Sequence, residues 1–205
     1  MKTEVINVFA NGNGRDEALE VTEKTGAFMG LDQKSSLRLR LLSEELIELI
    51  RTFSDDIPGE FWLETSERDV QIHLKTDIPM DLQTRNELLS VSSSGKNAAA
   101  KGLIGKIREM IASATLPDDP ETKAMTDQAL GLMTLGSQMG SRYGGAYAWS
   151  MAEYINQINT SVAETPETKD AKDELEKSIV ANLADDIKVS IVKTEVEVII
   201  CKSFA

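Results

Sequence analysis

Glu44, Glu45 and Glu48 crowd one short stretch, Leu-Arg-Leu-Arg-Leu-Leu-Ser-Glu-Glu-Leu-Ile-Glu-Leu-Ile-Arg-Thr-Phe, from Leu37 to Phe53. Leu39, Leu42, Leu46, Leu49, Ile50 and Phe53 recur at three- and four-residue steps, which predicts a helix with one apolar stripe. Glu45 falls close to the margin of that stripe, whereas Arg38, Arg40, Glu44, Glu48 and Arg51 mostly face water. A carboxylate at such a margin is either a solvated charge with a buried stem or a group turned into a cleft, where it can do chemistry. The plainer alternative is an amphipathic helix whose glutamates form helical ion pairs. Other reactive side chains are few. His73 is the only histidine, so no second one can complete a His-based metal site, and it alternates with Gln71 and Lys75 on the solvent side of a predicted strand. Cys201 is the only cysteine, which excludes an intrachain disulfide and fits a reducing cytoplasm.

The elements that must position these residues alternate in type. Val5–Phe9 reads as a short strand, stopped by the turn signals of Ala10-Asn11-Gly12-Asn13-Gly14. Arg15 to Met29 reads as a helix with Ala18, Leu19, Val21, Thr22, Thr25 and Phe28 available for an inner face. Gly30 suits its C-terminal cap, and Asp32 caps the glutamate-bearing helix, which runs to about Ser54. Strands Phe61–Glu64 and Val70–Lys75 flank a turn at Thr65–Asp69, with Val70, Ile72 and Leu74 facing the core. A short helix is expected over Leu82–Leu89, a small-residue loop over Ser90–Asn97, and a helix over Ala98–Ile111.

Beyond Pro117-Asp118-Asp119-Pro120 the composition shifts, and the next segment holds five of the thirteen glycines and all three tyrosines. Helices are expected near Ala124–Leu135 and Tyr147–Asn159, with a turn over Gly136–Gly145. Pro166–Leu183 reads as a last helix, followed by a hairpin of Ile187–Val192 and Val196–Cys201, whose β-branched strands belong well inside a sheet. Adjacent pairs of strands rather than single strands between helices predict an α+β fold. It is a two-layer sandwich with helices on one face of a mainly antiparallel or mixed sheet, and a helical insertion at 117–166.

Composition bounds the function. The chain has 205 residues, enough for one substantial core, and is read as a single domain over 1–205. A net charge of −12, from 22 Lys and Arg against 34 Asp and Glu, argues against broad binding to nucleic acid. No apolar stretch approaches the length of a membrane span.

The succession of elements resembles the ATP-binding domain shared by histidine kinases, gyrase-type ATPases and the bacterial serine kinases that act as anti-sigma factors. The likeness covers roughly residues 3–112 and 178–204. It rests on Leu41-Leu42-Ser43-Glu44-Glu45-Leu46, similar to the start of that family's N-box helix, and on the closing hairpin from Ala184 to Phe204. The Ser-Gly-Lys-Asn-Ala-Ala-Ala-Lys-Gly stretch also resembles a group of bacterial proteins described only as ATP-binding. The resemblance implies ATP and Mg²⁺ as ligands. It makes Glu45 or Glu44 the base that activates water or a substrate hydroxyl. The position four residues on, where the family has an Asn that holds Mg²⁺, is then Leu49 or Glu48, and of the two only Glu48 can ligate metal. Asp77 takes the place of the adenine-binding Asp, but Ile78 and Pro79 follow where the family has glycine. The last glycine box corresponds to Ser94-Gly95-Lys96 or to Gly102-Leu103-Ile104-Gly105-Lys106, whose backbone N–H groups would meet phosphate. Ser90 in place of glycine excludes a Walker A loop.

Two functions follow from the resemblance. One is a regulator that binds a protein partner through a degenerate fold of this type, with nucleotide binding weak or lost. The other is an active serine/threonine kinase or ATPase. Within the insertion, Tyr143, Tyr147, Trp149 and Tyr154 form either a patch for a partner or for self-association, or a packing seam against the core.

Overall fold

The computed structural model describes residues 1–50, 57–78, 103–115, 146–160 and 165–204. Strand β1 spans Ile6–Val8, and helices α1 and α2 span Arg15–Phe28 and Gln33–Ile50. Strands β2 (Gly59–Ser66) and β3 (Asp69–Asp77) follow, then α3 (Leu103–Ala114), β4 (Ala146–Ser150) and α4 (Met151–Thr160). Helices α5 (Pro166–Lys177) and α6 (Ile179–Leu183) lead to strands β5 (Asp186–Val192) and β6 (Glu195–Ser203). The six described strands form one antiparallel sheet in the order β1-β2-β3-β6-β5-β4, and with the helices they make the expected α+β sandwich.

The chain divides into two compact units, one comprising Met1–Asp77, Leu183–Lys188 and Glu197–Ala205, the other Ile78–Asn182 and Val189–Val196. In the first unit α1 packs on α2, and both lie against β1–β3. Alternation along the strands places Ile6, Val8, Phe61, Leu63, Val70, Ile72 and Leu74 in the core. From α2 come Leu39, Leu42, Leu46, Leu49 and Ile50, the predicted stripe, joined by Ile47 and Ser43. Ser43 is tolerated because Thr22 Oγ1 of α1, which donates to the Ala18 carbonyl, lies 3.2 Å from its hydroxyl. Phe28, expected on the inner face, is instead 71% exposed, because α1 ends there and the chain turns through Gly30 toward α2.

Two glycines are required by close approach. Gly14 enters α1 with φ 76°, and a β-carbon there would lie 1.9 Å from the Asn7 carbonyl oxygen. At Gly59 a β-carbon would meet the Ile50 side chain at 2.8 Å. The β2–β3 register runs from Gly59 opposite Thr76 to Ser66 opposite Asp69, so the turn is the tight Glu67-Arg68 pair. Glu67 takes the left-handed conformation at φ 53°, and Lys193 does the same at φ 59° between β5 and β6.

In the second unit the expected helix over Tyr147–Asn159 begins only at Met151, and Ala146–Ser150 is strand. Alternating aromatic and small residues suit an extended conformation, in which Tyr147 and Trp149 share a buried side while Ala148 is exposed. The expected helix over Pro166–Leu183 breaks at Ser178, whose ψ of 119° is extended. Thr165 and Thr168 cap its start reciprocally, with Pro166 in the first turn. The helices expected over Leu82–Leu89 and Ala124–Leu135, and the loops over Ser90–Asn97 and Gly136–Gly145, lie outside the described residues.

Candidate functional site

Helix α2 begins where the Asp32 carboxylate accepts a hydrogen bond from Ser35 N at 2.7 Å. That backbone hydrogen bond, with the Ser35 hydroxyl, holds the Asp32 carboxyl below its usual range. About three turns further on, the adjacent glutamates separate by environment. Glu44 Oε1 lies 3.2 Å from Arg40 Nε and 3.7 Å from an Arg15 guanidinium nitrogen, and Arg40 also pairs with Glu23 of α1. Glu44 is therefore part of a charge ladder that ties α1 to α2. Glu45 is half-buried, and its carboxyl is pushed above the usual range, first by burial and then by the negative charges of Glu48 and Glu44. Of the two, only Glu45 has the environment of a proton acceptor. Among the described residues no three His, Cys, Asp or Glu side chains assemble into a metal site, and that includes Glu48 and its neighbours.

Asp77 ends β3 and is exposed, as an adenine-binding carboxylate would need to be. The backbone after it is not open. Ile78 is 1% exposed, and its N–H donates to the Thr194 carbonyl at 2.8 Å. Gly105, assigned to a phosphate loop, lies in the first turn of α3 and is helical rather than part of a loop. Ser94, Gly95, Lys96 and Gly102 lie outside the described residues.

Two polar clusters carry little sequence signal. His73 was expected on the solvent side of β3, yet it is 5% exposed. It sits on the expected side, but Trp62, its register partner on β2, stacks on it with ring centroids 4.6 Å apart at 13°. Glu197 Oε1 of β6 lies 3.0 Å from His73 Nδ1, and Lys2 lies over the Trp62 ring at 4.4 Å. The trace available in the sequence was the hairpin register, which puts Trp62 opposite His73.

In the second unit, Lys106 of α3 lies 2.5 Å from Glu174 of α5 and donates to the Tyr154 hydroxyl of α4 at 3.3 Å. Burial pulls the Lys106 ammonium down, but hydrogen bonds and charge from Glu174 and Tyr154 together outweigh it, so its pKa is raised. Tyr154 also meets Trp149, with ring centroids 5.9 Å apart. Tyr147, Trp149 and Tyr154 are at most 7% exposed, so these three rings belong to packing and present no open patch. Tyr143 lies outside the described residues.

Comparison with protein families, with curated proteins and with solved structures gives no match. Among the described residues no helix is long and apolar enough to cross a membrane.

Proposed function

We propose that this protein is a cytoplasmic regulator that acts by binding another protein, through a kinase-type ATP-binding fold whose nucleotide chemistry is weak or lost. The observation that carries this reading is at Ile78. Its N–H is committed to Thr194 and its side chain is buried, just where a nucleotide-binding relative would bring open glycine backbone to the base. Leu49 supports it from α2: four residues after Glu45, where an Asn would ligate Mg²⁺, this leucine is 2% exposed and part of the core. These residues do not fit ATP with Mg²⁺. The acidic balance of the chain favours a protein partner over a polyanion.

A second reading, an active serine/threonine kinase or ATPase, has one observation in its favour. The raised Glu45 carboxyl is the kind of shift found at catalytic bases, in which case Glu48 would take Mg²⁺ and Asp77 adenine. Calorimetry with ATP and Mg²⁺ separates the two. We expect a dissociation constant weaker than about 10 µM, on the order of −7 kcal/mol. Tighter binding that Asp77→Asn weakens, without change in the ligand-free melting temperature, would establish the enzyme reading instead.

A further inference from the structure

The side of α2 turned away from its buried stripe carries charges in an ordered sequence. At three- and four-residue steps it presents Lys34, Leu37, Arg38, Leu41, Glu45 and Glu48. Leu37 is 56% exposed, Lys34 is exposed, and the other four are part-exposed. Lys34 and Arg38 lie toward the N-terminus, Glu45 and Glu48 toward the C-terminus, and Leu41 sits between the two pairs. We propose that this face is a docking surface for a second copy of the chain, with two α2 helices packed antiparallel about a two-fold axis near Leu41.

A two-fold contact must be complementary to itself, and this face is. Arg38 stands three residues before Leu41 and Glu45 four after it, so an antiparallel copy centred there sets Arg38 opposite Glu45 of the second copy, twice. Lys34 and Glu48, seven residues to either side, meet in the same way. Within one chain the order is unfavourable. A helix dipole favours acids near the N-terminus and bases near the C-terminus, yet Lys34 is in the first turn of α2 and Glu48 in its last. Among the described residues Lys34, Arg38 and Glu45 form no ion pair, and Arg38 acts on Asp32 only through space. The charges nearest Glu45 in its own chain, Glu48 and Glu44, share its sign. A second copy supplies the opposite charge. Two chains that each carry a net charge of −12 repel, so a contact between them has to bring opposite charges together locally, as this face does.

The test is sedimentation velocity on the full chain at low salt, from about 1 to about 100 µM. A reversible monomer–dimer equilibrium is expected, shifting toward monomer in high salt. At the lower end of that range the chain is monomeric, and Glu45 keeps the environment described above. Arg38→Glu and Glu45→Arg should each abolish the dimer, because each sets like charges opposite one another twice. Mixed in equal amounts, the two variants should recover it as a heterodimer, since every pair is again of opposite sign. Far-UV circular dichroism shows whether each variant folds. If either does not, Leu41→Lys takes its place: it sets two ammonium groups at the axis, its stem still covers the helix, and it should abolish the dimer. A wild-type chain that stays monomeric across the range overturns the proposal. So does a dimer that survives these substitutions, or one lost in both charge variants and not recovered on mixing.

Discussion

Glu45 on α2 and Lys106 on α3 are both half-buried charges, and both have pKa values above their usual ranges, yet the two shifts mean opposite things. For Glu45 burial comes first and the neighbouring charges, Glu48 and Glu44, have the same sign as its own, so folding favours the neutral acid. For Lys106 burial works against the ammonium, but Glu174 and the Tyr154 hydroxyl reach it directly and folding favours the charged form. Burial alone therefore does not decide the state of a group; the sign and reach of its partners do. Glu44 sharpens the contrast. One residue from Glu45 on the same helix, it meets two arginines. The Glu45 pattern is what a reactive carboxylate needs, whereas the Lys106 pattern is that of a tie between α3, α4 and α5.

The contrast rests on α2 being seated in the core, and the largest expected effect tests that seat. Leu46, fully buried, should cost about 2–5 kcal/mol on substitution by alanine, measured by urea unfolding. A cost near zero would mean that the environment assigned to Glu45 is wrong as well. Next in size is Lys106→Met, which keeps the stem but removes the cation from Glu174 and Tyr154. A loss of about 1–2 kcal/mol is expected, discounted for partial exposure. Adding Glu174→Gln to that variant should cost less than it does alone, because the two groups share one interaction. Equal costs would dissolve the tie. Since the Lys106 pKa is raised, its contribution is fully present at neutral pH and disappears only as pH rises through its raised value in the alkaline range.

The adjacent glutamates give the smallest effects and the sharpest test, because they should differ in sign. Glu44→Gln breaks the ladder to Arg15 and Arg40 and should destabilise by about 0.3–1 kcal/mol, less in high salt. Glu45→Gln should stabilise by a few tenths of a kcal/mol at about pH 7. A carboxyl with a raised pKa in the folded state contributes stability below its ordinary value and loses it as pH rises through the raised one. The gain from Glu45→Gln should accordingly fade as the pH is lowered toward about 4. If both variants change stability in the same direction at neutral pH, the division between a tied and a strained glutamate does not hold.

Local signals made much of this legible. The stripe from Leu39 to Ile50, the Asp32 cap, the turns after β1 and between the paired strands, and the adjacent pairing of strands that implies an α+β sandwich all depend on spacing within a few residues. The placement of Glu45 at the margin of its helix was legible for the same reason. The strand at Ala146–Ser150 was not, because its five residues run directly into a helix with no turn residue between them, and helix propensity carried across the junction.

The amino-acid sequence by itself determined which faces of its elements are apolar and therefore which of them pack, since burial of those faces drives folding. It also determined that one histidine and one cysteine are all the imidazole and thiol chemistry the chain has. Only the tertiary structure decided the state of the charged groups. His73 follows the polar alternation of β3 yet is covered by Trp62 and held by Glu197, a residue far along the chain. Glu44 and Glu45 are identical and adjacent; Glu44 pairs with Arg40 on its own helix and, once α1 packs, with Arg15 as well, whereas Glu45 is left half-buried beside like charges. The reason is physical: apolar patterning acts through local periodicity, whereas the energy of a charge depends on which distant groups folding brings within a few ångströms of it.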